Sequence, residues 1–180
     1  MFRSRATSLG LLVLGIVAFG VVAGIAAYLA LKNIKAPVAQ ALTGGRAVRI
    51  VGQAMAPTLQ DGQLVVFDTT AYKRQSPKRG DIVLFKPANE SARLFVMRII
   101  AVPEDRLRIN NGAVYINGQV ISEPYLAEPW TFNNSWPATG QDQLLPPGDY
   151  FVMGDNRNHS SDSRTFGFVE GRSIQGRLKS

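Results

Sequence analysis

Three segments of this 180-residue chain hold residues whose types and spacing could do chemistry. The first is Gly52-Gln53-Ala54-Met55-Ala56-Pro57-Thr58-Leu59. The second is Arg79-Gly80-Asp81-Ile82-Val83-Leu84-Phe85, followed by Val96-Met97-Arg98-Ile99-Ile100-Ala101. The third is Gly154-Asp155-Asn156-Arg157-Asn158-His159-Ser160-Ser161-Asp162-Ser163-Arg164. Residues such as Asp, Asn, Ser and Gly also fill ordinary turns, so composition alone does not make the third segment a site. Histidine can act as a general base, and His159 is the chain's one histidine. A Ser-His-Asp triad could draw on no other residue, and a metal centre built on several histidines is excluded. The chain has no cysteine, which excludes disulfides, thiol catalysis and Cys-ligated zinc. No metal or cofactor is implied.

In this order and spacing the three segments resemble the signature boxes of bacterial type I signal peptidases (leader peptidases), a serine peptidase family that uses a Ser/Lys dyad. The resemblance covers roughly residues 46–176 and the apolar stretch before them. It implies a nucleophile position just before Met-x-Pro-Thr, which here is Ala54, and a general-base position just before Arg98, which here is Met97. In the family the serine supplies the attacking oxygen, and a buried lysine, neutral because it is desolvated, takes the proton. Alanine has no nucleophile; methionine matches much of lysine's length but cannot accept that proton. Thr58, four residues beyond Ala54, is expected to point elsewhere, and His159 falls at a variable position of the motif and is read as a surface residue. The resemblance therefore implies a signal peptidase scaffold that is inactive as written. It further implies that Ser160 matches the serine that orients the catalytic amine, that Asp162 and Arg164 match an ion pair supporting the loop, and that Arg98 matches the basic residue after the dyad lysine. The backbone N–H of residue 54 would be one oxyanion donor. Some members add a serine hydroxyl two residues earlier, where this chain has Gly52.

The family cleaves signal peptides after an Ala-x-Ala-like pattern. An extended peptide adds to a strand edge while its small residues enter shallow apolar pockets. By motif position Ile50, Val51, Met55, Leu59, Phe95 and Val96 would line those pockets; all six also suit a core, and for Leu59 and Val96 the two readings weigh about equally. The implied partners are signal peptides of exported preproteins and membrane lipids. An alternative function is a non-catalytic, membrane-anchored protein that binds or scaffolds exported peptides or partner subunits. A soluble self-cleaving repressor peptidase with a related Ser/Lys core is disfavoured by the apolar N-terminal stretch and by the length of the third motif.

These residues need elements to carry them. Residues 9–31 are almost unbroken apolar sequence, including Leu11, Leu12, Val13, Leu14, Ile16, Val17, Phe19, Val21, Val22 and Ile25. About 20 such residues span a hydrocarbon core, and the run is longer than a cleavable leader's apolar stretch of roughly 7–15 residues. The expectation is an uncleaved, single-pass anchor in the cell membrane, with a cytoplasmic tail at residues 1–8. Arg3 and Arg5 precede the run and Lys32 and Lys35 follow it, so charge bias votes only weakly on orientation. Residues 32–45, with Pro37 and Gly44-Gly45, read as a linker, and 46–180 as an extracytoplasmic domain. The net charge is +7 and the pI about 10.1. Basic proteins attract nucleic acid or anionic headgroups; no nucleic-acid motif is present, which favours the headgroups. Short β-prone runs at 46–51, 64–68, 81–86, 95–102, 106–109, 113–116, 119–121 and 150–153 are bounded by turn residues. Asn110-Asn111-Gly112 and Asn117-Gly118 mark tight turns. The expected body is mainly β, an antiparallel peptidase domain of the signal peptidase type after one transmembrane helix. Trp130, Phe132 and Trp136 could touch the membrane interface, with packing inside the domain the stronger reading for them.

Overall fold

A computed structural model describes residues 45–87, 93–130 and 140–179. The tail, anchor and linker expected at residues 1–44 lie outside the described residues, as do Phe132 and Trp136; Gly45 opens the first strand. The described residues all belong to one compact unit, Gln40–Ser180. Among them, no helix is long and apolar enough to cross a membrane.

Among the described residues eleven strands form two antiparallel sheets. They are β1 (Gly45–Arg49), β2 (Leu64–Asp68), β3 (Ile82–Phe85), β4 (Phe95–Ala101), β5 (Arg106–Asn110), β6 (Ala113–Ile116), β7 (Gln119–Val120), β8 (Gln143–Leu144), β9 (Asp149–Met153), β10 (Val169–Glu170) and β11 (Ile174–Leu178). The larger sheet runs β1-β2-β11-β3-β4-β9-β10 and the smaller β7-β6-β5-β8. The only α-helix among the described residues, α1 (Ser163–Phe166), is a single turn.

Burial explains which strands sit in the middle. Strand β2 alternates, with Val65 and Phe67 buried and their neighbours less so, the signature of a strand with one covered face. Every residue of β3 is buried, because its two faces serve different cores. Ile82 and Leu84 join Ile50, Met55, Leu59, Val65 and Phe67. Val83 and Phe85 join Met97, Ile99, Tyr150, Val152 and Val169 on the other side. Strand β9 divides likewise: Tyr150 and Val152 face that second core, while Phe151 and Met153 face a third, shared with Leu107, Ile109, Val114 and Ile116 of the small sheet. The continuous apolar runs of β3 and β9 are thus what a doubly covered strand requires.

Both expected turns are present. Asn111 and Gly112 have φ of 47° and 73°, and Asn117 and Gly118 have 54° and 84°, the left-handed pair that a two-residue hairpin needs. Strand β11 was not expected. It is a short segment, Ile-Gln-Gly-Arg-Leu, with Gly176 at its centre, and it pairs with both β2 and β3. A Cβ at Gly176 would lie 2.8 Å from the Asp68 carbonyl oxygen, so only glycine lets these backbones approach.

Candidate functional site

A groove of about 400 Å³ runs between residues 48–55 on one side and 93–97 on the other, with His159 and Ser161 also lining it. Ala54 and Met97 both face it. Ala54 packs against the core cluster that contains Met97, and Met97 is 3% exposed.

The Ala54 segment is pinned at several points. The Gly52 N–H donates to the Asp61 carboxylate at 2.8 Å, and the turn closes through Ala56 N–H to the Gln53 carbonyl at 3.0 Å and Leu59 N–H to the Met55 carbonyl at 2.8 Å. Met55 and Leu59 anchor it in the core beneath. The Ala54 carbonyl accepts from the Asn156 N–H at 2.9 Å, which ties the segment to the 154–164 loop. Thr58 adds a second tie, its hydroxyl donating to Asp155 at 2.5 Å. Thr58 therefore points away from the groove, as expected.

Met97 is placed by β4 through register: it lies opposite Val83, and Arg98 opposite Ile82 on one side and Met153 on the other. Alternation sends Met97 to one face and Arg98 to the other. Arg98 grips Asp155 with both arms, Nε to Oδ1 at 2.8 Å and Nη2 to Oδ2 at 2.6 Å. Its Nη1 donates to the Gly80 carbonyl at 2.9 Å, and its guanidinium lies 4.1 Å from the Tyr125 ring centroid. Burial opposes the Arg98 charge, but the Asp155 hydrogen bonds outweigh it and leave the pKa above its ordinary value. Burial and a hydrogen bond to Glu123 raise the Tyr125 phenol well above its ordinary range.

The 154–164 loop is held from within. Asp162 accepts from the Gly154 N–H at 3.0 Å and from the Arg164 N–H at 3.2 Å, capping α1. It also takes both arms of Arg164, at 2.8 and 2.9 Å. Arg164 Nη2 reaches the Arg157 carbonyl at 2.7 Å. Arg157 in turn donates to the Gly154 carbonyl at 3.0 Å and pairs with Glu123, whose Oε1 also accepts from Tyr125 at 2.7 Å. Trp130 is buried, with the Arg157 and Arg164 guanidinium groups each 5.2 Å from its ring centroid; it is a core residue and not one that meets a membrane interface.

Ser160 ends up beside Met97. Its Oγ donates to the Met97 sulfur at 3.7 Å, a weak bond, since a thioether is a poor acceptor. Gly154 makes the convergence possible. A Cβ there would sit 2.3 Å from the Ser160 Oγ and 2.5 Å from the Ala54 carbonyl oxygen, so any larger residue would force the two loops apart.

Of the six residues expected to line pockets, Ile50, Val51, Met55, Phe95 and Val96 border the groove. Ile50 and Met55 are nevertheless buried, Val96 also packs on the core, and Val51 is 80% exposed. Phe95 touches Phe85 and Phe166 in an aromatic cluster, with centroids 5.8 and 6.1 Å away. For Leu59, where core and pocket weighed about equally, the core reading holds: at 4% exposure it packs with Val65, Phe67 and Leu84 and is not among the residues lining the groove.

Sequence reasoning missed four groups that organise the loop: Asp155, Glu123, Tyr125 and Thr58 as a partner of Asp155. A buried arginine needs a carboxylate, so Arg98 carried a signal for Asp155, which stands inside the quoted motif. Glu123 is 34 positions from Arg157, and nothing local announces it.

Chemically, the groove offers an extended, mostly apolar trough beside a wall that has no side-chain hydroxyl at residue 54 and no side-chain amine at residue 97. His159 and Ser161 are exposed at its margin; among the described residues no hydrogen bond joins them. Among the described residues lining the groove, no side-chain hydroxyl is hydrogen-bonded to a basic side chain.

A family model described as "Signal peptidase, peptidase S26" matches residues 16–180. A probable signal peptidase I-1 of Synechocystis sp. is 37% identical over 134 residues, covering 71% of this chain and 65% of its own length. Signal peptidase IB of Staphylococcus aureus is 35% identical over 141 residues, covering 72% and 73%. The chain spans 65% and 58% of the lengths of two Synechocystis relatives, probable signal peptidases I-1 and I-2. A crystal structure of a signal peptidase I from Enterococcus faecalis V583 is 34% identical and aligns with 58% of this chain and 98% of that one, with a TM-score of 0.47.

Proposed function

The chain belongs to the signal peptidase family S26, and from that premise we propose that it is a membrane-anchored member that binds signal peptides of exported preproteins in the groove beside Ala54 and Met97 without cutting them. One observation carries the reading: Ser160 Oγ donates to the sulfur of Met97 at 3.7 Å, in a groove wall that Ala54 shares. In the family this chain resembles, those positions hold a lysine amine and a serine. Here the site keeps its supporting hydroxyl and the ion pairs behind it but has neither reacting group. Ala-x-Ala-like segments suit such a trough, since small residues leave an extended backbone free to pair with a strand edge.

The test compares four chains in detergent: as written, Ala54→Ser, Met97→Lys and the double variant. The chain as written is expected to bind a labelled signal peptide and release no product. The double variant is expected to cleave it, and each single variant to recover little, because nucleophile and base act as a unit. Turnover by the chain as written, abolished by His159→Ala, would overturn the inactivity. A folded double variant that binds peptide and still does not cut it would make this a dedicated binding scaffold whose catalytic geometry is gone.

The same proposal places residues 9–31 across the cell membrane and residues 46–180 outside the cytoplasm, on the apolar length of that run and on where exported peptides are processed. Added protease should digest the domain in sealed, right-side-out cells; protection of the domain there contradicts the orientation.

A further inference from the structure

We propose that the groove selects peptides with a carboxylate side chain about four residues from the small residue seated against Ala54 and Met97, with Arg93 as the principal cation and Arg49 assisting. The inference rests on the peptide-binding reading above and adds a charge requirement to it.

The charge pattern of the described fold motivates it. Arg79, Arg98, Arg157, Arg164 and Arg172 each pair with a carboxylate, and Arg177 approaches Asp81 at 3.8 Å. Arg46, Arg74 and Arg106 are outside these pairs, and so are the two arginines of the groove. Arg49, Arg93 and His159 line it, and no aspartate or glutamate among the described residues does. Concave surfaces with one sign of charge concentrate the opposite sign, so the trough favours an anionic occupant.

The two arginines are also held in place. The Arg93 guanidinium lies 5.7 Å from the centroid of the Phe95 ring, itself part of the groove wall. Arg49 donates from Nη1 to the Gly62 carbonyl at 2.8 Å. A guanidinium has five N–H donors in a planar fork that matches a carboxylate, so neither contact exhausts its capacity. Position follows from chain geometry. Arg93 precedes Met97 by four residues on the strand approach, on the order of 13 Å at about 3.3 Å per extended residue. A peptide lying alongside β4 advances at the same rise, so its residue four positions from the one at Met97 comes level with Arg93. That residue lies upstream for a parallel peptide and downstream for an antiparallel one.

The experiment measures equilibrium binding of labelled synthetic peptides to the full chain as written, in neutral detergent. The peptides share an Ala-x-Ala segment and carry Asp, Asn or Lys four residues upstream or downstream of its last alanine. At low salt one Asp peptide is expected to bind about twofold to fivefold more tightly than its Asn counterpart, as an exposed ion pair allows, with Lys weakest and the spread narrowing at high salt. Arg93→Gln should remove most of this preference and Arg49→Gln part of it, both with unchanged melting temperature, while Arg93→Lys should retain some. Equal binding of the Asp, Asn and Lys peptides overturns the charge requirement and leaves the groove reading intact. So does an Asp preference that survives in the Arg49→Gln/Arg93→Gln variant, which would trace it to the net positive charge of the chain. Failure to bind any of the peptides overturns the groove reading itself, and this inference with it.

Discussion

The loop after β9 keeps three arginine–carboxylate pairs out of water, Arg98–Asp155, Arg157–Glu123 and Arg164–Asp162, whereas the wall it leans on, Ala54 and Met97, has no ionisable group. The two are neighbours: Ser160 belongs to the loop and hydrogen-bonds to the wall, and Asn156 holds the Ala54 carbonyl. Buried pairs recover little more than their desolvation cost, yet losing one partner strands the other. Such pairs are thus hard to lose singly and hold geometry whether or not the groove does chemistry. An apolar wall has no such constraint. Alanine and methionine fill the wall without a desolvated charge, so the ion pairs of the loop do not depend on a charged or nucleophilic side chain there.

The largest effect that would break this comparison is on the paired side. Asp162→Ala removes the carboxylate that both arms of Arg164 share, the acceptor for the Gly154 N–H and the cap of α1. It is expected to cost about 3–5 kcal/mol, read from denaturant melts. A cost below about 1 kcal/mol would show that the loop does not depend on its pairs.

A smaller effect is expected on the apolar side. Met97→Lys places an amine in a position that is 3% exposed, with no carboxylate pair of its own among the described residues. Desolvation disfavours the charged form and pushes such an amine's pKa down. The folded state then prefers neutral lysine, so the penalty is small above the amine's ordinary pKa and grows as pH falls toward its folded value. At neutral pH the loss is expected to be on the order of 1–3 kcal/mol. A melting temperature that is unchanged, or that rises as pH is lowered, would mean the wall tolerates charge and the contrast is weaker than drawn.

The finest adjustment concerns Asp105, at the junction between the two sheets. Burial works against its charge, but the fork of Arg79 at 2.6 and 2.9 Å, the Val102 N–H and Asn117 together hold its pKa below the usual carboxylate value. A depressed folded pKa contributes stability above the unfolded value, about 3.9, that is lost as pH falls through the folded one. The melting temperature of the chain is expected to fall more steeply below about pH 4 than that of Asp105→Asn. Parallel acid profiles would remove Asp105 from the set of pairs that matter.

Much of the body was legible because alternation and turn chemistry are local. Strands β2 and β6 run over the residues expected, and β4 and β5 differ by one residue at the C-terminal end. The two Asn-Gly turns follow from residues that accept positive φ. Strands β8, β10 and β11 were not legible. Two of them are only two residues long, and β11 owes its place to a backbone approach that glycine permits but does not advertise.

At the site, residue types alone determined what the wall lacks: no fold can give alanine a side-chain hydroxyl or methionine a proton-accepting amine. The motif order also brought Asp162 and Arg164 within reach of each other, since only Ser163 separates them. Only the tertiary structure decided that Asp155 answers Arg98 and Thr58, that Glu123 reaches Arg157 across 34 positions, and that Leu59 lies in the core while Met55 still borders the groove. Each of those outcomes depends on which face a strand presents and where a loop returns, and such distances in space are not encoded at any one position of the chain.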